Sequence, residues 1–132
     1  MFEKDYIIRA IEELFHALAR IRRARREERH GEARADIEAT CRSITGLELE
    51  QARSMGHDAL RAVLPEPERR AIVARLLSEY GETLAATGGD GGADAGAYLR
   101  AAFVLYDELD QRDELPSEGG HREALAALVE RL

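Results

Sequence analysis

His30-Gly31-Glu32-Ala33-Arg34-Ala35-Asp36-Ile37 returns near the C-terminus as His121-Arg122-Glu123-Ala124-Leu125-Ala126-Ala127-Leu128. His, Glu, Ala, Ala and an aliphatic residue keep the same order and spacing. Two copies in a chain of 132 residues indicate one helix type, and one way of packing it, used twice. The composition agrees. Apolar residues make up 45% and charged residues 34%, rich in the helix formers Ala, Leu, Arg and Glu and poor in residues that favour strands. The chain reads as a single all-α domain over residues 1–132, large enough to bury about two thirds of its unfolded surface.

Before the first copy, Ile7, Ile11, Leu14, Leu18 and Ile21 recur at four- and three-residue steps, with Ile8 and Phe15 widening the stripe. That periodicity predicts a long helix over residues 3–29 with one apolar face. Acids at its start and arginines at its end suit the helix dipole. His30-Gly31 then breaks the pattern, and a second helix sets Ala33, Ile37, Cys41 and Ile44 on one side before Gly46 supplies a left-handed stop. The short connection makes the two an antiparallel hairpin. Between Leu47 and Leu64 the apolar residues are interrupted at Gly56, which leaves one or two short helical turns.

Pro65-Glu66-Pro67 opens a third long helix with Ile72, Val73, Leu76, Leu77, Tyr80 and Leu84 as its stripe. Gly81 inside it implies a bend or a closely approaching neighbour. Residues 88–92 read as a flexible connection, and Asp94 as the cap of a helix burying Tyr98, Ala101, Ala102, Leu105, Tyr106 and Leu109. A final helix carries Leu125, Leu128, Val129 and Leu132. Leu128 and Leu132 must then lie in the core or meet another subunit.

The third and fourth long helices resemble a tetratricopeptide-type unit, through Leu77, Tyr80, Gly81 and Leu84 in one and Ala102, Tyr106 and Leu109 in the other. Residues 30–37 and 121–128 are likewise similar to second helices of such units. Across nearly its whole length the chain also resembles a family of uncharacterised bacterial proteins of that helical type. These open with Met-Phe-x-x-Asp-Tyr-Ile-x-Arg-x-Ile-Glu, carried here by Met1, Phe2, Asp5, Tyr6, Ile7, Arg9, Ile11 and Glu12. The resemblance implies about five or six helices stacked as antiparallel hairpins, often with a groove for a protein partner. It carries no activity to transfer.

Net charge is −7 but uneven, with +2 over residues 1–30 and −6 over residues 88–132, so the acidic end argues against nucleic acid there. The single cysteine, Cys41, excludes an internal disulfide and a cysteine zinc site, and with no signal or membrane stretch visible the expected compartment is the cytoplasm. Glu13–His16, Glu27–His30 and Glu118–His121 spell the Glu-x-x-His spacing of di-iron bundles. His16 falls on the polar face and the last copy contains two glycines, so no metal site is expected. Asp90 and Asp94 lack the acid spacing of a calcium loop. No phosphate loop, nucleophile elbow or His-Glu-x-x-His occurs, and no catalytic residue or cofactor is assigned. The four histidines are expected at helix starts or on polar faces, and the four tyrosines in apolar stripes.

Function is therefore sought on surfaces. The expectation is a non-catalytic protein-binding or self-associating module, a homodimer in the simplest case. Its interface would use Ile7, Ile11, Leu14 and Leu18 for apolar area and Arg22, Arg23 and Arg26 for an acidic partner. One alternative is anion or nucleic-acid binding through Arg20, Arg22, Arg23, Arg25 and Arg26, although these wrap round the helix with no interleaved aromatics. Another is a small-molecule or enzymatic pocket between the hairpins, beside Gly81, Ala101 and Ala102.

Overall fold

The computed structural model describes residues 2–88 and 91–132, and the described residues are all-helical with no strand. Seven helices follow one another: α1 (Phe2–Arg26), α2 (His30–Thr45), α3 (Leu49–Ser54), α4 (His57–Val63), α5 (Pro67–Thr87), α6 (Gly91–Gln111) and α7 (His121–Arg131). Two of the seven are the short turns expected between residues 47 and 64. Among the described residues no helix is long and apolar enough to cross a membrane.

Helix α1 ends three residues earlier than its periodicity suggested. Glu28 takes a left-handed conformation at φ 60°, and the Arg29 amide donates back to the Ala24 carbonyl at 2.8 Å, which closes the helix. His30-Gly31 is consequently not a break but the first turn of α2. Gly46 ends α2 as expected, at φ 77° with its amide on the Arg42 carbonyl. Pro67 opens α5 where its missing donor costs nothing. Asp94 is no cap: it lies within the first turn of α6, as do Gly91 and Gly92, while Gly89 and Asp90 of the expected connection lie outside the described residues.

Cross-contacts fix the directions. Arg20 of α1 meets Asp36 of α2 across a three-residue connection, and Tyr80 and Gly81 of α5 meet Tyr98 and Leu99 of α6, so both pairs are antiparallel. The Arg69 guanidinium of α5 lies 4.1 Å from the ring centre of Tyr6, while Arg25 further along α1 reaches Glu79 and Thr83, so α1 and α5 run in the same direction. Helix α7 does too, because Gly120 at its start meets Arg75 and Arg131 at its end meets Glu82. The result is stacked antiparallel hairpins with α1, α5 and α7 parallel in one layer. On the far face of α5, Tyr80 stacks with Tyr98 of α6 at 4.6 Å between ring centres and lies beside Arg34 of α2.

This placement corrects the reading of the repeated motif. His30 and His121 each open a helix, and Ile37 and Leu128 are buried in matching positions, while Ala33 is buried and its counterpart Ala124 only half-buried. The first copy nevertheless packs as the second helix of a hairpin, whereas the second packs parallel to α5, as a first helix would. Gly81 is explained by close approach. A Cβ there would meet Leu99 Cδ2 at 2.8 Å and the Ala95 carbonyl at 3.2 Å, so the Leu99 side chain of α6 packs directly on the Gly81 backbone of α5. The hairpin is packed solid at Gly81 and at the fully buried Ala102, whereas Ala101, the third residue named for a pocket, borders an open cleft toward α3 and α4.

Candidate functional site

Leu14 and Leu18 are core residues, at 0% and 4% exposure, so they are unavailable to a partner. Two helices, α2 and α5, lie against α1 within the chain and bury the stripe assigned to an interface. Ile7 and Ile11 are half-buried at its edge. Exposure shifts instead to the residues that widened the stripe, with Ile8 at 44% and Phe15 at 50%. At a helical pitch Ile8, Ile11, Phe15, Arg22 and Arg26 share one strip of α1, beside the buried stripe and facing α7 across α5.

That strip is one wall of a groove. Its apolar end is a hollow of about 280 Å³ where Ile7, Ile8 and Ile11 of α1 face Pro116, Ser117 and His121, with Glu68 of α5 alongside. A middle hollow of about 330 Å³ sets Arg22 opposite Glu123, Ala124 and Ala127 of α7, over Ser78, Glu79 and Glu82 of α5. The far end, about 380 Å³, brings Arg25, Arg26 and Arg131 around Ala85 and Ala86. The floor is α5 throughout. From Ile7 to Arg26 the wall runs roughly 28 Å, room for about eight extended residues.

The polar floor was not anticipated. Glu79 is buried, with its carboxylate 3.1 Å from Arg25, 3.7 Å from Arg22 and 3.6 Å from Arg75. Arg25 also donates to the Thr83 hydroxyl at 3.2 Å, and Arg75 to the carbonyls of Gly119 and Gly120 at 3.2 and 3.3 Å, which ties the start of α7 to α5. Glu68, Glu82, Glu118 and Glu123 also line the groove, so positive charge is in excess only at its far end, where Arg25, Arg26 and Arg131 gather around Glu82. Arg70, also fully buried, reaches Glu114 at 3.4 Å. A helix packed by neighbours on most of its sides hides its polar residues from a one-stripe reading, and α5 is such a helix.

The arginine run of α1 is divided among several sides. Arg20 holds Asp36 by two bonds of 2.8 and 3.0 Å toward α2, Arg23 pairs with Glu27 in solvent, and Arg22, Arg25 and Arg26 line the groove. No continuous basic face results.

As expected, His30, His57 and His121 each open a helix and His16 lies on a polar face, but their burial differs. His16 is exposed, but His121 is buried, with Nδ1 2.8 Å from the Tyr106 hydroxyl. Burial and then the nearby Arg75 guanidinium push its pKa down to about 4. The ring is neutral at pH 7 and can accept the phenolic proton, while burial raises the Tyr106 pKa above its ordinary value. Tyr6 is half exposed against Arg69 instead of filling the core. Among the described residues no three His, Cys, Asp or Glu side chains gather closely enough to hold a metal ion.

Against known proteins, no family model matches the chain, and no curated protein or solved structure is significantly similar to it. The functional reading rests on geometry.

Proposed function

We propose that this chain is a non-catalytic protein-interaction module of tetratricopeptide-like build, which takes a segment of a partner protein into the groove between α1 and α7. The observation that carries the reading is the strip of exposed Ile8 and Phe15 with half-buried Ile11 on α1, continuing into Arg22 and Arg26 with Arg131 opposite. Apolar area at one end and positive charge at the other suit a segment with bulky apolar side chains followed by Asp or Glu. The parallel order of α1, α5 and α7 supports the tetratricopeptide-like reading, since first helices of such units line the concave side. The opening segment of the chain supports kinship with the uncharacterised bacterial family of that type.

Selection of peptides from a random displayed library tests this reading. Enriched sequences should join apolar residues to acids, and should lose about tenfold or more in affinity when Ala127→Trp fills the groove. Ala59→Trp, on exposed α4, should leave binding unchanged. Peptides that bind Ala127→Trp as well as the wild type would overturn the assignment.

Self-association is a second reading, favoured by Val129 of α7 and Leu132 just after it, which stand 59% and 56% exposed. Light scattering that gives a monomer at all concentrations would remove it.

A further inference from the structure

Away from the groove, a cleft of about 250 Å³ opens between the short helices α3 and α4 and the α5–α6 hairpin. Its walls are mainly apolar, with Met55, Leu60, Leu77, Ala101, Val104 and Leu105. Three polar side chains join them, Arg53, His57 and Arg100, and no Asp or Glu lines the cleft. Small-molecule sites have this composition, an apolar body with a few polar groups that fix orientation, and the volume is below that typical of drug-sized ligands.

The three polar groups differ in what they already hold. Arg53 is ion-paired with Glu50 and lies over the Tyr98 ring at 5.3 Å, so its charge is compensated. The His57 ring is 11% exposed, and neither nitrogen has a hydrogen-bond partner within the protein. Its nearest carboxylate, Glu108, stands 3.7 Å from Nε2, beyond hydrogen-bond range. Arg100 is exposed and folded back over Gly96, where a Cβ would sit 3.0 Å from its Nη1, and it has no ion pair among the described residues. A buried imidazole without a partner and an uncompensated guanidinium border the same apolar space.

We infer that this cleft binds a small carboxylate with an apolar tail. The carboxylate would take the Arg100 charge at the mouth of the cleft, reaching a His57 nitrogen only if the ring turns, since both nitrogens are buried as the side chains stand, while the tail lies against Met55, Leu60, Leu77 and Val104. A neutral molecule forgoes the charge-assisted bond, and a cation would face the uncompensated Arg100 guanidinium with no acid on the walls. The inference is independent of the groove, because the two surfaces share no residue.

Amide chemical-shift titration with hexanoate, 1-hexanol and hexylammonium at fixed ionic strength tests it. Hexanoate should saturate with a Kd on the order of 1 mM, as expected for a ligand of so few atoms, shifting amides of residues 52–60 and 100–105. Hexanol should bind about tenfold more weakly and hexylammonium not detectably. Arg100→Ala should bring hexanoate down to the hexanol level with hexanol unchanged. Val104→Trp, at a position already exposed on the rim, should block both without disturbing the core. Equal affinity for hexanoate and hexanol, no saturation into tens of millimolar, or shifts along α1 and α7 would each overturn the inference.

Discussion

His121 shows how a residue with an ordinary role in the sequence acquires a physical one. Its pKa of about 4 in the folded chain lies below the 6.5 of an unperturbed imidazole, so between those values the unfolded chain binds a proton that the folded chain refuses. The associated stability is fully present above pH 6.5 and is lost as pH falls toward 4. The difference amounts to about 3 kcal/mol. Urea unfolding at stepped pH should show that slope in the wild type and its absence in His121→Gln. Parallel curves for the two proteins would mean that the imidazole is not held neutral by burial. Nothing in the repeated motif distinguishes His121 from His30, which is only half-buried. The difference comes from Tyr106 and Arg75, 15 and 46 residues away, which only the fold brings near. Leu14 and Phe15 are a similar case. Both read as members of one stripe, and only the arrangement of α2 and α5 decides that the first is covered and the second is not.

At the level of helices, what was legible followed from local chemistry. Gly46 and Pro67 mark ends because their backbones permit little else, and the structure agrees with both. The end of α1 was misread because Glu28, and not a glycine, takes the left-handed position, and Asp113 does the same after α6 at φ 57°. A non-glycine residue pays steric strain there, so Glu28→Gly should raise stability by about 1 kcal/mol, measured by urea midpoint, with a smaller gain at Asp113 because Asp tolerates this region better. Loss of stability in Glu28→Gly would contradict the strain. Gly81 behaves in the opposite way. Ala is the better helix former by about 1 kcal/mol, yet its methyl would press on Leu99 and the Ala95 carbonyl. Overpacking should win, so Gly81→Ala is expected to lower stability by about 1 kcal/mol net. A stabilised Gly81→Ala would show that α6 can move aside.

For the molecule as a whole, the all-α class followed from composition and periodicity, and the hairpins from short connections. The groove did not, because it depends on α7 returning parallel to α5. That path is held by Arg75 on the Gly119 and Gly120 carbonyls and by Arg131 on Glu82. Sequence similarity between the two motif copies suggested equivalent packing, whereas chain direction placed them differently. The groove in turn redistributes the arginines of α1. Three of them reach one cleft, and the positive end of an otherwise acidic chain becomes a local feature of that cleft.

The central claim is that partners enter between α1 and α7. Titrating an isotope-labelled chain with a selected peptide and following side-chain methyl and amide shifts addresses it directly. The account predicts saturable changes at Ile8, Ile11, Ala85, Ala124 and Ala127, with α2 and the outer side of α6 silent. Changes confined to α2, α4 or the exposed side of α7, with the groove residues unmoved, would contradict it.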